Sequence, residues 1–331
     1  MTSWGDWMQI LVTGATGKVG QTLLSALSEA YPHATIRALL HSRDLPARPG
    51  LTTVKGSLAD RSVAEDAIRG CTHVVHLATC KETPDDVMDV TVKGLFWLLE
   101  AWRQNPAAQR FLLIGGDASV GHFFHDHAGP VTEVTPHRAY PGCYALSKVL
   151  EEVMLAQYGI QYGIDWCCLR APWIMEKDDF RASLSFGDDR FGGPDWAALA
   201  GEVQTKEARQ TRAVPLLQDH NGVAIKRNFI HVTDLASAIC DALIAPAARQ
   251  RLYNISMDEP VDYQVVANLL AELHGLPAVP LRSSFHSTWL SNHRARLELD
   301  WKPVYDTRRL VTESWAYTRT PDDPRRVWYP G

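Results

Sequence analysis

Apolar residues in this chain fall into short continuous runs, and between the runs they recur at helical spacing. Ile10-Leu11-Val12 and residues 34–40, 51–54, 73–78 and 111–114 are runs of strand length. Continuous rather than alternating apolarity marks strands covered on both faces. Between them, Val19, Leu23, Leu24 and Leu27, then Val63, Ala67 and Ile68, then Val87, Val90, Leu95, Leu98 and Leu99 recur mostly at three- and four-residue steps, which places each set on one helix face. The first helix should end near Tyr31-Pro32, and the third should span 86–102. This alternation of strand and helix through the first half specifies a parallel sheet with right-handed crossovers on both faces.

The second half is less regular. A polar loop, 115–137, leads into Tyr140-Pro141-Gly142-Cys143-Tyr144 and a helix through Val149 and Met154. Residues 164–169 read as a strand closed by Arg170-Ala171-Pro172-Trp173, after which 176–226 turns polar, with one helix candidate at 196–208. The pattern resumes with a strand at 227–232, Thr233 as a helix cap with Asp234 in the first turn, and further elements at 252–255, 263–273 and 307–317. The expected fold is α/β: a Rossmann-type doubly wound parallel sheet (1–175 and 226–246) with a smaller C-terminal substrate-binding lobe (176–225 and 247–331).

At 331 residues the length suits two lobes. A formal charge of −5 with no extended Lys/Arg run argues against a nucleic-acid partner. No stretch has the apolar length of a membrane span, and residues 1–8 lack the apolar core of a secretion signal. The six cysteines are scattered, with neither disulfide-framework nor zinc-ribbon spacing, so reduced thiols and a cytoplasmic location are expected.

Candidate chemistry begins where the first strand breaks into Gly14, Gly17 and Gly20. Gly14 permits a tight turn, Gly17 a close approach of backbone to pyrophosphate, and Gly20 the packing of helix on strand; the helix start offers amides to the anion. A dinucleotide site follows. At the tip of the second strand, Leu40-His41-Ser42-Arg43 carries no carboxylate before Asp44, which tips the cofactor toward NADP over NAD, with Arg43 or His41 facing the 2′-phosphate. Tyr144 and Lys148, four apart, share a helix face. His122, His125, Asp126 and His127 have irregular spacing, so no metal site is expected of them; they are placed at the substrate entrance.

The order of these motifs resembles the extended short-chain dehydrogenase/reductase superfamily, the NAD(P)-dependent epimerase/dehydratase family. The resemblance rests on Gly14, Gly17 and Gly20; His76-Leu77-Ala78; Tyr144 with Lys148; Leu169-Arg170-Ala171-Pro172; residues 227–232; and Trp301-Lys302-Pro303. It implies that Thr16, Lys18, Val19, Ser57, Leu58, Leu77, Ala78 and Pro172 join the glycines, His41 and Arg43 around the cofactor. Tyr144 would be the general acid/base, and Lys148 would stabilise its phenolate and hold the nicotinamide ribose. Asp117, His122, Trp173 and Arg227 would face the substrate, Arg227 as the family's phosphate-contacting arginine. Two positions depart from the pattern. Gly116 stands where the family carries a serine that bonds the substrate oxygen; Ser119, Asp117, a substrate group or water are open as sources of the missing hydroxyl, with Ser119 swinging inward preferred, and Ser57 replaces an adenine-contacting aspartate. The implied activity is an oxidoreductase, epimerase or dehydratase acting on a hydroxyl or carbonyl carbon of a sugar, sugar acid or sugar nucleotide. The alternative is a nicotinamide-binding regulator that has lost turnover. The partner is a small-molecule substrate, and a homodimer is allowed.

Overall fold

A computed structural model describes residues 8–187, 192–323 and 325; residues 1–7, within the segment read above for a secretion signal, lie outside the described residues. Strands β1 (Gln9–Thr13), β2 (Thr35–Leu40), β3 (Leu51–Lys55), β4 (His73–His76), β5 (Arg110–Gly116) and β6 (Trp166–Ala171) are joined through helices α1 (Lys18–Ala30), α2 (Arg61–Ile68), α3 (Pro84–Asp86), α4 (Lys93–Arg103) and α5 (Cys143–Tyr162), with β2 running on to β3 without a helix and α3 and α4 both between β4 and β5. Successive residues of β1 serve opposite faces of the sheet. Ile10 and Val12 pack with Leu23, Leu24 and Leu27 of α1, while Leu11 packs with Leu95, Leu98 and Leu99 of α4. This two-sided burial is what the continuous apolar run requires.

The later part of the chain supplies β7 (Trp173–Met175), α6 (Asp179–Ser183), α7 (Trp196–Thr211), β8 (Val214–Gln218), β9 (Lys226–Arg227), β10 (Phe229–His231), α8 (Val232–Ile244), β11 (Arg251–Asn254), β12 (Val261–Asp262), α9 (Tyr263–His274), β13 (Ala278–Arg282), α10 (His293–Glu298) and α11 (Thr307–Ala316). The central sheet has seven parallel strands in the order β11-β6-β5-β4-β1-β2-β3. The chain runs outward from β1 to β3 and then resumes at β4 on the other side of β1, so the switch-point crevice opens between β1 and β4. A separate apolar core, including Phe180, Trp196, Phe229, Tyr263, Leu270 and Leu310, holds the second lobe together.

Four features differ from the sequence expectations. The third helix is interrupted: Val87–Val92 is a π-helical segment between α3 and α4, and the buried Thr91 hydroxyl accepts from the Cys80 amide at 2.8 Å. The expected strand at 227–232 is split into β9 and β10, neither of them in the central sheet, because Asn228 between them is pinned to another segment. Its amide donates to Thr288 Oγ1 at 2.8 Å and accepts from Leu290 N at 2.8 Å. The cap of α8 is His231, whose Nδ1 accepts from Thr233 N, in place of Thr233. Finally, β11 pairs with β6 in the central sheet, although residues 247–331 were assigned to the second lobe. Its buried Tyr253 joins the core of α1 and α8, a contact between segments far apart in sequence.

Candidate active site

The glycine turn shapes one end of a cleft of about 950 Å³. Gly14 has φ +65°, and a Cβ there would lie 2.9 Å from the Ala78 amide nitrogen; Gly17 N donates back to Gly14 O at 3.0 Å. At Gly20 a Cβ would sit 2.5 Å from Gly14 O and 2.6 Å from Ala15, so α1 reaches the loop because that side chain is absent. No side chain caps the first turn of α1. Its amides and dipole end therefore fit a pyrophosphate.

Thr16, Gly17, Lys18, Val19 and Gly20 line this end, as do His41, Arg43, Ser57, Leu58, Leu77, Ala78 and Pro172. Lys18 is tied to the second lobe, donating to Ile174 O at 2.7 Å and Asp179 Oδ2 at 2.9 Å. Asp179 and its neighbour Asp178 also receive Arg319 and Arg325, so one buried acidic pair joins the glycine turn to the C-terminal segment. Asp44 pairs with Lys55 at 3.0 Å on the exposed surface, leaving His41 and Arg43 at the strand tip. The Ser57 hydroxyl accepts from Ala59 N within its own turn. Thr13 Oγ1 accepts from the amides of Leu77 and Ala78, each at 3.1 Å, and bonds His76 Nδ1 at 2.8 Å. Burial, then the charge of Lys148, pushes His76 down to about 3, so it stays neutral.

At the other end stand Tyr144 and Lys148, with Gly115, Asp117 and Ala118 opposite them. Gly116 is extended, with φ −147°, a conformation open to any residue, and a Cβ there would lie 3.6 Å from both Tyr144 Oη and Lys148 Cγ. The absent serine's position thus adjoins the Tyr144 hydroxyl. Ser119 does not replace it. Residues Asp117–Val120 form a 3-10 turn, and the buried Ser119 Oγ lies 2.8 Å from Glu152 Oε1 and 2.9 Å from Gly116 O, so the expected inward swing is corrected. The compact turn and the Glu152 carboxylate hold that hydroxyl away from the cleft.

Three substrate candidates form a chain. His122 Nδ1 is 2.5 Å from Asp117 Oδ2, and Arg227 Nε donates to His122 Nε2 at 2.9 Å. Because Nε2 accepts, the imidazole proton resides on Nδ1; burial lowers the His122 pKa against the pull of Asp117. The Arg227 guanidinium lies 4.3 Å from the Trp173 ring centre and 4.4 Å from that of Phe123. Burial also lowers the pKa of Arg227, against Tyr263. Of the loop histidines, His122 lines the cleft, whereas the His125 ring bonds Ala139 O. No group of three or more potential metal ligands occurs among the described residues.

Sequence reasoning missed Lys81 and an aromatic wall of Phe123, Phe124, Tyr140 and Phe285. Lys81 Nζ lies 4.9 Å from the centre of the Tyr144 ring, and burial, then the charges of Lys18 and Lys148, pulls it down to about 8. A signal for Lys81 existed in its position five residues beyond the end of β4. Phe285 carried none, because it arrives from a distant segment.

The model of the NAD dependent epimerase/dehydratase family matches residues 10–256. This chain belongs to that family. Maize dihydroflavonol 4-reductase is 29% identical over 181 residues, covering 47% of this chain and 50% of that protein. The chain is thus matched to about half the length of that relative. Among solved structures, a short-chain dehydrogenase/reductase superfamily protein from Agrobacterium tumefaciens with bound NAD has a TM-score of 0.77 at 24% identity, covering 93% of this chain and 96% of that one. UDP-glucose 4-epimerase from Thermotoga maritima, solved with UDP-glucose, has a TM-score of 0.71 at 18% identity, covering 94% and 98%. These structures share the extended short-chain dehydrogenase fold. No helix among the described residues is long and apolar enough to cross a membrane.

Proposed function

We propose that this protein is an NAD(P)-dependent oxidoreductase in which Tyr144 moves a proton to or from a substrate oxygen on a carbonyl or hydroxyl carbon. The observation that carries this reading is the convergence of Tyr144, Lys148 and the Cβ direction of Gly116 at one end of the glycine-turn cleft. When bound, the nicotinamide supplies or accepts hydride. The chain's own part is to hold the dinucleotide's pyrophosphate by the amides of α1, to aim the Tyr144 hydroxyl at the reacting oxygen, and to stabilise the phenolate with the Lys148 charge. NADP is favoured over NAD because His41 and Arg43 line the strand tip while Asp44 is engaged by Lys55.

For the substrate, the reading is a compact carbonyl compound with an apolar or aromatic body, in line with the reductase activity named for the maize relative. The Trp173 and Phe123 rings at 4.3 and 4.4 Å from the Arg227 guanidinium give this end of the cleft apolar walls that suit such a body. The sugar, sugar-acid or sugar-nucleotide reading is the second, favoured by the UDP-glucose held by the Thermotoga neighbour. A panel of aryl and alkyl ketones, free sugars and UDP-sugars, each with NADPH and NADH, followed at the reduced-nicotinamide absorbance band, tests both. Turnover of ketones is expected, and turnover confined to UDP-sugars would overturn the preferred substrate. An epimerase reaction, which returns its hydride, would leave the absorbance flat while product forms. Tyr144→Phe should cut turnover about 10²-fold or more with cofactor affinity nearly unchanged. A loss below about threefold would remove Tyr144 from the mechanism.

A further inference from the structure

Glu151 and Glu152 are neighbours on α5, both buried, in contrasting surroundings. Glu152 accepts from Arg170 Nη2 at 2.7 Å and Nε at 3.1 Å, from His137 Nε2 at 2.9 Å and from Ser119 at 2.8 Å. Burial opposes its charge, but these hydrogen bonds hold it down to about 2. Glu151 has no accessible surface, and Lys148 Nζ lies 2.8 Å from its Oε2. Among the described residues Glu151 meets Lys148 and receives no hydrogen bond from any other group, so the pair is a charge-assisted contact with a single partner. A buried ion pair whose carboxylate has a single partner is often no more stabilising than apolar side chains of similar size. Its charge therefore has to matter to Lys148, which lies 3.4 Å from Ile114 O and 5.6 Å from the centre of the Tyr144 ring.

We infer that Glu151 is a positioning residue whose carboxylate anchors Lys148 and offsets part of the ammonium charge acting on Tyr144, thereby setting the pH at which Tyr144 exchanges its proton. The inference rests on the acid/base role of Tyr144. The other titratable groups near the pair leave this role open to Glu151. His76 on β4 is neutral, the Cys168 thiol on β6 is pushed well up by burial, and Arg170 and Glu152 compensate each other. Burial pushes Glu151 up and Lys148 draws it back. Around Tyr144, Tyr140 is pushed up by burial, with Asp117 and Glu82 adding to it, while burial pulls Lys81 down to about 8.

The test is the pH profile of kcat/KM of the full-length enzyme with its nicotinamide cofactor. In Glu151→Gln and in Glu151→Leu, the limb due to Tyr144 is expected to move to lower pH by about one unit, because an offsetting negative charge is gone. Glu151→Asp, which keeps the charge, should stay near the parent. The same displacement should persist in a Lys81→Gln background, where a limb due to Lys81 is removed. If the limb stays in place or moves up in a folded charge-removing variant, Glu151 does not tune Tyr144. If Tyr144→Phe retains the parent turnover, the acid/base role itself fails, whatever Glu151 does.

Discussion

The two ends of the cleft are built differently. At the glycine-turn end, backbone does most of the work: Gly14, Gly17 and Gly20 remove side chains so that the turn, Ala78 and α1 come within contact distance. At the end bearing Arg227, side chains from separate segments do it: Asp117 and His122 from the loop after β5, Trp173 from β7, Arg227 from β9 and Phe285 from beyond β13. A backbone cradle tolerates little change, because an added Cβ meets atoms that cannot rotate away. A side-chain site can be rebuilt one group at a time.

Gly20→Ala is the severest way to probe that contrast. Its Cβ would meet backbone at 2.5–2.6 Å. Overpacking of this kind costs about 3 kcal/mol, the upper part of its usual range. We expect a lower Tm, read by thermal denaturation, and a weaker cofactor affinity, read by cofactor titration, because the turn that presents the amides has to shift. An unchanged affinity would mean that the glycine turn is not the anion cradle.

Arg227→Met should act on the opposite end alone. Removing the donor to His122 and the guanidinium against Trp173 should lower kcat/KM by about 2 kcal/mol, roughly 30-fold, with cofactor affinity unchanged. Equal losses of cofactor and substrate binding would erase the distinction between the two ends. Gly116→Ser is the mildest, and it falls on the boundary. Its Cβ would make ordinary contact at 3.6 Å with Tyr144 Oη. If the substrate oxygen lacks a donor there, kcat rises by at most about 1.5 kcal/mol, roughly tenfold. A fall in kcat with a raised KM would show that the substrate uses this space.

The alternating runs of the first half were legible because each strand and helix buries its own apolar pattern in place. The glycine spacing and the Tyr144/Lys148 pair are likewise local, since a turn and an i,i+4 helix face are properties of a few consecutive residues. Sequence alone therefore determined six strands of the sheet, the glycine turn and the helix that bears Tyr144. Tertiary structure decided the rest. The 3-10 turn sent Ser119 to Glu152, Asn228 divided a strand that was continuous in pattern, and β11 entered the central sheet beside β6. The same holds for the enclosure of Arg227 and the charge contact of Glu151 with Lys148. These outcomes depend on which distant groups share a small buried volume. One buried carboxylate can claim a hydroxyl, a guanidinium and an imidazole together, as Glu152 does, while the carboxylate next to it in sequence meets a single lysine; no local periodicity encodes that difference.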